Sequence, residues 1–298
     1  MGGTARATAK PLHDRDEIDV FGGLPPLRTV IAQHGLNARK ALGQHFLLDL
    51  NLTRRIARAA GDLRDATVIE VGPGPGGLTR ALLAEGAKSV IAIERDRRCI
   101  DALAGLVAVA KGRLTLIEGD AAKIDAATLG TAPRPIVANL PYNVASVLLI
   151  NWLRAADDFA SLTLMFQKEV AERIVAAPGT KTYGRLSVMA GWRCDTRICL
   201  NLPARAFTPP PKVDSCVVQL IPRQTNEHPA EWDAMETVVA AAFGQRRKML
   251  RRALRTLPLD PSLLFEETGI NPAARAEELS VADFAAMARA FTALRANP

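Results

Sequence analysis

The sequence has no apolar run long enough to cross a membrane. The longest candidate, residues 144–153, is interrupted by Ser146 and Asn151, whereas a membrane-spanning helix needs about 18 or more apolar residues. The opening stretch MGGTARATAK also lacks the apolar core of a secretory signal. We therefore expect a cytoplasmic protein with no membrane partner.

Cysteine and histidine are both scarce, with four of each in 298 residues. The cysteines form no C-x-x-C pair, and they are Cys99, Cys194, Cys199 and Cys216. The histidines are scattered and show no spacing typical of metal ligands. We therefore predict reduced, buried thiols and no metal site.

The net charge of +7 is unevenly placed along the chain. Residues 224–298 carry nine basic and ten acidic side chains, so the positive surplus lies on residues 1–223. One stretch of the acidic part is an exception, with six cations at Arg246, Arg247, Lys248, Arg251, Arg252 and Arg255. Such a cluster is typical of a surface that binds a polyanion, although many basic proteins bind no nucleic acid.

Short β-rich runs alternate with helical patterns from residue 65 onward. The predicted strands are Thr67–Val71, Ser89–Glu94, Leu114–Glu118, Pro135–Asn139, Leu162–Gln167 and Cys216–Ile221. The predicted helices between them are Gly76–Glu85, Arg97–Ala110, Ala145–Arg154 and Lys168–Ala176. This alternation predicts an α/β fold, namely a Rossmann-like parallel sheet with helices on both faces.

The β-rich runs stop after Pro222, and this change divides the chain. Residues 1–25 are polar and aperiodic and predict a flexible tail, and residues 26–222 form the predicted α/β domain. Residues 223–298 predict a small all-α domain with helices at Glu231–Phe243, Arg246–Leu257 and Val281–Leu294. In the second of these helices Arg247, Arg251 and Arg255 would lie on one face.

A glycine-rich loop follows the first predicted strand. Gly72, Gly74 and Gly77 satisfy the spacing G-x-G-x-x-G of a dinucleotide-binding loop. Pro73 and Pro75 interrupt this loop and provide no N–H groups to cradle a pyrophosphate. The loop therefore favours S-adenosylmethionine, which has no phosphate, over NAD.

Two carboxylates follow the loop in the order that such a cofactor requires. Glu94 ends the second predicted strand, 22 residues after Gly72, and suits the two ribose hydroxyls. Asp120 follows the third strand, where it is placed to accept from the adenine amino group. Either residue alone could be a solvated carboxylate at a strand end, but the ordered set favours a cofactor site.

The tetrad Asn139-Leu140-Pro141-Tyr142 follows the fourth predicted strand. The N6 lone pair of adenine is delocalised into its ring, so acceptors for the N6 hydrogens favour a nucleophilic, pyramidal nitrogen. The Asn139 side chain and the Leu140 carbonyl are such acceptors, Pro141 fixes the turn, and Tyr142 can stack on a base. The alternative is that the tetrad only turns the chain after its strand.

Several longer segments resemble the ribosomal RNA adenine dimethyltransferase family. They are KALGQHFLL (40–48), VIEVGPGPGGLTR (68–80), IAIERDR (91–97), ANLPYNV (138–144), QKEVAERIVAA (167–177), YGRLSVM (183–189) and FTPPPKVDSC (207–216). The resemblance is close from about residue 36 to 255 and implies a class I S-adenosylmethionine methyltransferase fold. The sequence NVAS after the tetrad departs from the family pattern only conservatively.

The resemblance also implies roles for individual residues. The cofactor would contact His45, Leu47, Gly72, Gly74, Glu94, Asp120 and Asn139. Tyr142 and Phe207 would line the pocket of the target adenine beside the catalytic residues Asn139, Leu140 and Pro141. From the residues alone, His45 reads as a packing residue and Phe207 equally well as a core anchor of the last strands.

The activity implied by the resemblance is dimethylation of N6 on two adjacent adenosines near the 3′ end of 16S ribosomal RNA in the 30S subunit, by a monomer. The cations of residues 246–255 would contact RNA phosphates, or else form a solvated helix face. Two alternatives stay open: the macrolide-resistance methyltransferase of 23S RNA, and a non-catalytic assembly or transcription factor that keeps the fold.

Overall fold

A seven-stranded sheet lies at the centre of the protein, whose computed structural model describes residues 23–36, 44–132 and 134–296. The strands are β1 (Phe46–Leu47), β2 (Thr67–Val71), β3 (Ser89–Glu94), β4 (Leu114–Glu118), β5 (Arg134–Ala138), β6 (Phe159–Gln167), β7 (Cys194–Leu202), β8 (Phe207–Thr208) and β9 (Ser215–Pro222). The helices are α1 (Leu27–Gln33), α2 (Leu50–Ala59), α3 (Gly77–Ala84), α4 (Arg97–Val109), α5 (Tyr142–Arg154), α6 (Lys168–Ile174), α7 (Arg185–Arg193), α8 (Trp232–Gly244), α9 (Leu250–Ala253), α10 (Pro261–Thr268) and α11 (Val281–Ala296).

The large sheet has the strand order β4-β3-β2-β5-β6-β9-β7. Strands β2 to β6 are parallel, and β9 runs antiparallel to both of its neighbours. The strand order reverses at β2, and such a reversal opens a crevice at the carboxyl ends of the strands. All six predicted strands are present, so the predicted doubly wound sheet is confirmed.

Helices cover both faces because neighbouring residues of a strand point to opposite sides of the sheet. Val68 and Val137 are buried in one apolar cluster with α2, α3 and α4. Ile69 and Ile136 are buried in another with α5, α7 and the helices after residue 230. Every residue of β5 is buried, as expected for a parallel strand covered on both faces.

The described part of residues 223–298 is helical, as predicted. Met235 of α8 and Phe284 of α11 are fully buried in the same cluster as α5 and α7. The helices therefore pack against one face of the sheet through a continuous apolar core. A domain division at Pro222 stays a prediction.

The predicted continuous helix Arg246–Leu257 is wrong. α8 ends at Gly244, and the chain then turns through Lys248 before the four-residue helix α9 and a short 3₁₀ turn at Leu254–Thr256. Three separate pieces of backbone thus replace one helix.

Long-range hydrogen bonds explain this break. Met249 forms an isolated β-bridge with Arg275, and the Leu250 N–H donates to the Ala274 carbonyl at 2.8 Å. These bonds use groups that a continuous helix would pair four residues apart, so tertiary pairing overrides helix propensity. The three cations expected on one face of this helix therefore lie in a turn, in α9 and in the 3₁₀ turn, and they are Arg247, Arg251 and Arg255.

Strand β7 was not predicted, because it lies at the edge of the sheet. Cys194 and Leu202 are buried at its two ends, but most residues between them are half-buried or exposed. This strand therefore lacks the apolar run by which the buried strands were found. Helices α1, α2, α7 and α10 were missed as well.

The thiols match their prediction in three cases of four. Cys99, Cys194 and Cys216 are buried and free, whereas Cys199 is half-buried and free. Burial raises the pKa of the Cys99 and Cys194 thiols to about 12. These two thiols are therefore protonated and unreactive at neutral pH.

Residues 1–22 of the predicted tail lie outside the described residues. Pro25 is described, and its carbonyl accepts from the Arg80 guanidinium at 3.0 Å. Within the described ranges no helix is both long enough and apolar enough to span a bilayer. In the same ranges no three His, Cys, Asp or Glu side chains come together as metal ligands would.

Candidate functional site

A cleft opens at the carboxyl ends of β2, β3, β4 and β5, where the reversal of strand order predicts a ligand site. Its walls come from residues 44–47, 71–75, 77–78, 93–95, 119–122, 139–144 and 148. All predicted cofactor residues and the complete tetrad line this cleft. The structure thus brings together residues that lie almost a hundred positions apart.

The glycine-rich loop is held from two sides as it passes from β2 into α3. Gly74 has a φ of +55°, and its N–H donates to Oε2 of Glu94 at 3.1 Å. Gly77 begins α3, and a Cβ there would lie 2.5 Å from the Leu47 carbonyl oxygen. Only glycine permits this close approach of β1 to the loop.

Glu94 is fixed by three backbone donors. Oε1 accepts the N–H groups of Arg95 and Asp96, both at 2.8 Å, and Oε2 accepts the N–H of Gly74. The residue is 8% exposed, and burial raises the pKa of Glu94 although these N–H donors act to lower it. Oε2 retains the capacity to accept another donor from the cleft.

Asp120 is held more loosely than Glu94. Oδ1 accepts the Ala122 N–H at 3.0 Å, and Oδ2 lies 3.7 Å from a guanidinium nitrogen of Arg95. The Asp120 side chain is 36% exposed, so solvent weakens this ion pair. Arg95 lines the cleft as well, and sequence reasoning had not selected it.

The side-chain amide of Asn139 has a fixed orientation. Its Nδ2 donates to the backbone carbonyl of His45 at 3.1 Å. A carbonyl only accepts, so the amide nitrogen must face His45. Oδ1 has no partner among the described residues and stays available to a donor in the cleft.

The rest of the tetrad places Tyr142 at the start of a helix. Leu140 is 2% exposed and anchors the turn in the core. Pro141 is the N-cap of α5, and its carbonyl accepts the N–H groups of Val144 and Ala145 at 3.1 Å. The tetrad therefore makes a capped turn and, at the same time, lines the cleft.

An aromatic cluster closes this end of the cleft. The Tyr142 hydroxyl is 2.6 Å from the hydroxyl of Ser215. The His45 ring stacks on Tyr142 with a centroid distance of 5.7 Å and approaches Phe207 edge-on at 6.5 Å. His45 Nδ1 lies 2.8 Å from the Pro209 carbonyl, so Nδ1 carries the proton and donates.

Comparison with known proteins identifies the family. Residues 35–293 match the family model described as ribosomal RNA adenine dimethylase. The chain belongs to this family. A protein of Rhodospirillum rubrum named ribosomal RNA small subunit methyltransferase A is 59% identical over 283 residues, which cover 93% of this chain and 98% of that protein. The protein of that name from Xanthobacter autotrophicus is 59% identical over 279 residues, 92% of this chain and 96% of its own.

Solved structures agree with this assignment. A dimethyladenosine transferase from Plasmodium falciparum superposes with a TM-score of 0.70 at 28% identity, over 82% of this chain and 96% of that chain. The 23S rRNA methyltransferase ErmE has a TM-score of 0.61 at 24% identity, over 83% of this chain and 99% of its own, and shares the fold. The predicted class I methyltransferase fold is confirmed. The prediction of an enzyme is confirmed, because the family and these relatives are named for a methyltransferase activity, and the alternative of a non-catalytic factor is not supported.

Among the residues predicted to bind the cofactor or act in catalysis in this adenine dimethylase, Phe207 is the one that does not line the cleft in the described residues. It is 2% exposed and belongs to the core cluster of α2, α3 and α4. In β8 it pairs with Leu47 of β1. Its position therefore matches the alternative of a core anchor.

The basic segment carries five exposed cations and one that is engaged. The exposed ones are Arg247, Lys248, Arg251, Arg252 and Arg255. Arg246 is half-buried, forms an ion pair with Glu277 at 3.0 Å and donates to the Lys181 carbonyl. Arg246 therefore ties the segment to the loop after α6 and is not free for a ligand.

Ser215 and Glu70 are polar groups near the site that sequence reasoning missed. Ser215 is fully buried, and nothing in the sequence links it to Tyr142, 73 residues away. Glu70 precedes the glycine loop in β2, is 1% exposed, and has no hydrogen-bond partner for either oxygen among the described residues. Burial raises the pKa of Glu70 to about 8, which keeps it protonated at neutral pH.

Proposed function

We propose that this enzyme transfers two methyl groups from S-adenosylmethionine to N6 of each of two adjacent adenosines near the 3′ end of 16S ribosomal RNA, in the 30S subunit. The observation that carries the proposal is the Asn139 amide, whose Nδ2 is held by His45 and whose Oδ1 is available in the cleft. The small-subunit relatives, at 59% identity, support the choice of RNA.

The cleft fits S-adenosylmethionine by its donors and acceptors. Glu94 is held with Oε2 able to accept from a ribose hydroxyl, and Asp120 can accept from the adenine amino group. Pro73 and Pro75 line the cleft without offering N–H groups to a pyrophosphate. When bound, this cofactor supplies an electrophilic methyl group.

The protein's own residues orient the acceptor amine. Asn139 Oδ1 and the Leu140 carbonyl accept the two N6 hydrogens, which favours a pyramidal nitrogen with its lone pair directed away from the ring. Tyr142 stacks on the base, a contact worth about 1–3 kcal/mol in proteins that bind single strands. No strong base is needed before the transfer, because alignment of the reacting groups lowers the barrier. The methylated nitrogen carries a positive charge and then releases one proton to water.

The exposed cations of the basic segment give the enzyme a surface for RNA. We assign phosphate contacts to Arg247, Lys248, Arg251, Arg252 and Arg255. Arg246 is left out because it already pairs with Glu277. The enzyme would act as a monomer in the cytoplasm, where ribosomal subunits mature.

A labelled-cofactor assay tests the proposed reaction. The protein is incubated with labelled S-adenosylmethionine and undermethylated 30S particles, 50S particles or free 16S RNA. We expect label in the 30S particles and, by mass spectrometry of digested RNA, dimethyladenosine at two adjacent positions. Methylation of 50S but not 30S particles would overturn the choice of substrate and favour the 23S reaction.

A further inference from the structure

The side chain of His45 stacks on one face of the Tyr142 ring within the cleft. Both residues line the cleft, and their rings stack at 5.7 Å with planes inclined by 28°. A flat base between two rings needs them about 7 Å apart, since each contact takes roughly 3.5 Å. The observed separation is too short, so a base cannot enter between His45 and Tyr142.

We propose that the His45 ring holds the place of the target base on Tyr142 and rotates away when the base binds. The inference rests on the proposed function, because it takes Tyr142 as the stacking platform for adenine. It assigns His45 a role in admitting the base, which differs from the cofactor contact that the resemblance implies.

The contacts of His45 suit a ring that moves while its backbone stays. The imidazole has one hydrogen bond, to the Pro209 carbonyl at 2.8 Å, and no ion pair with the described residues. The backbone carbonyl of His45 accepts from Asn139 at 3.1 Å. A change of side-chain rotamer can therefore free Tyr142 without disturbing the orientation of the Asn139 amide.

Departure of the ring would also change the far wall of the site. The rings of Phe207 and His45 pack edge to face with a centroid distance of 6.5 Å, and Phe207 is 2% exposed. Once His45 leaves, the Pro209 carbonyl becomes available to a donor on the substrate.

Base affinity in His45 variants tests the proposal. The probe is a short single-stranded RNA with 2-aminopurine at one adenine position, whose fluorescence falls on stacking, with S-adenosylhomocysteine present. We expect His45→Ala to bind the probe about twofold to tenfold more tightly than wild type, since the base no longer displaces an aromatic pair. His45→Phe keeps a ring on Tyr142 and should bind no more tightly than wild type.

The controls separate this effect from a loss of structure. His34→Ala removes an exposed histidine of the described chain that does not line the cleft and should match wild type. Circular dichroism and thermal unfolding report whether each variant is folded, and they do not depend on the cofactor contact that the resemblance implies for His45. Equal or weaker probe binding by folded His45→Ala would overturn the proposal, because the ring would then be neutral or a lasting part of the base site.

A measurement on the unaltered protein avoids dependence on any variant's folding. The chain has four histidines, so the Hε1 resonance of His45 can be assigned by its absence in His45→Phe. Stacking on Tyr142 displaces this resonance by the ring current, and we expect the displacement to vanish when the probe is added. A resonance that keeps its displacement in the complex contradicts the proposal.

The outcomes distinguish this proposal from the proposed reaction. If 30S particles are methylated and the ring does not move, the placeholder role of His45 fails alone. If the ring moves and the probe stacks but no ribosomal particle accepts methyl groups, the reaction fails while the placeholder stands.

Discussion

The two halves of the cleft are built in different ways. The carboxylate half is local: Glu94 is held by the N–H groups of the next two residues and by Gly74, 20 positions away. The aromatic half is assembled over long distances. There Tyr142 is fixed by Ser215, 73 positions away, and His45 by Pro209, 164 positions away.

This difference in support predicts which half of the cleft can rearrange when a ligand binds. Backbone hydrogen bonds to a buried carboxylate fix its position before a ligand arrives. The aromatic half depends on side-chain contacts from several elements, and its His45 ring has a single hydrogen bond. We expect the carboxylate half to behave as a rigid cofactor site and the aromatic half as an adaptable base site.

Asn139 joins the two halves, and its loss should have the largest effect. Asn139→Ala removes the Oδ1 acceptor from the amine, and we expect kcat to fall about 10²–10³-fold, as when one preorganised polar group is removed from an active site. S-adenosylhomocysteine affinity should change far less, because Glu94 and Asp120 remain. Single-turnover transfer and calorimetry measure the two quantities.

The matched control for this variant is Asn151→Ala. Asn151 is an exposed amide on the same helix α5 whose first residue is Tyr142, and it should leave both quantities unchanged. Full activity in Asn139→Ala would refute the role of its amide oxygen.

Glu94→Gln should have the next largest effect and tests the rigid half. The amide replaces one acceptor oxygen by an NH₂ group among three N–H donors, so we expect cofactor affinity to fall about tenfold to a hundredfold. Asp120→Asn should cost less, since its carboxylate is partly exposed. If the two variants lose equal affinity in calorimetry, the contrast between the two carboxylates is wrong.

The same site predicts a pH dependence of cofactor binding. Burial raises the pKa of Glu94, so its carboxylate becomes protonated at a higher pH than an exposed glutamate as the pH falls. Protonation removes an acceptor for the ribose, and affinity should therefore decrease on acidification from neutral pH. Glu94→Gln does not titrate and should lose this part of the dependence.

Tyr142→Phe and Ser215→Ala test the aromatic half, because each removes the hydrogen bond between the two hydroxyls. Each variant removes one partner of the 2.6 Å contact, and we expect each to raise KM for 30S particles about threefold to tenfold, the worth of one hydrogen bond. Because both substitutions remove the same contact, the KM of the double variant should be no higher than that of the single variant with the higher KM. Additive losses would show that the two hydroxyls act independently.

Features that depend on residues close together in the chain were predicted well from the sequence. Strands β2, β3 and β4 have the predicted bounds, because their apolar runs end at turn residues. The glycine loop follows β2, Glu94 ends β3 and the tetrad follows β5, so these features were predicted for the same reason.

What depends on distant pairing could not be predicted. The burial of Phe207 depends on the pairing of β8 with β1, which no local pattern indicates. The break in the basic segment requires Leu250 to bond Ala274, whereas its own composition favours a continuous helix. The roles assigned to the tetrad stay predictions, and the contact between Ser215 and Tyr142 could not be predicted from the sequence.

Substitutions in the basic segment should have the smallest effects, and an exposed cation of the segment can be compared with one held in an ion pair. Arg251→Ala removes an exposed cation and should weaken RNA binding modestly, lowering the slope of log K against log salt by about 0.7–0.9 if it contacts one phosphate. Arg246→Ala should leave that slope unchanged and instead lower the free energy of unfolding by about 1 kcal/mol or less, because its ion pair with Glu277 is partly exposed. RNA titrations at several salt concentrations and thermal unfolding separate the two roles. A lower slope in Arg246→Ala would mean that this residue exchanges Glu277 for a phosphate on binding, and the segment would then have to move on the RNA.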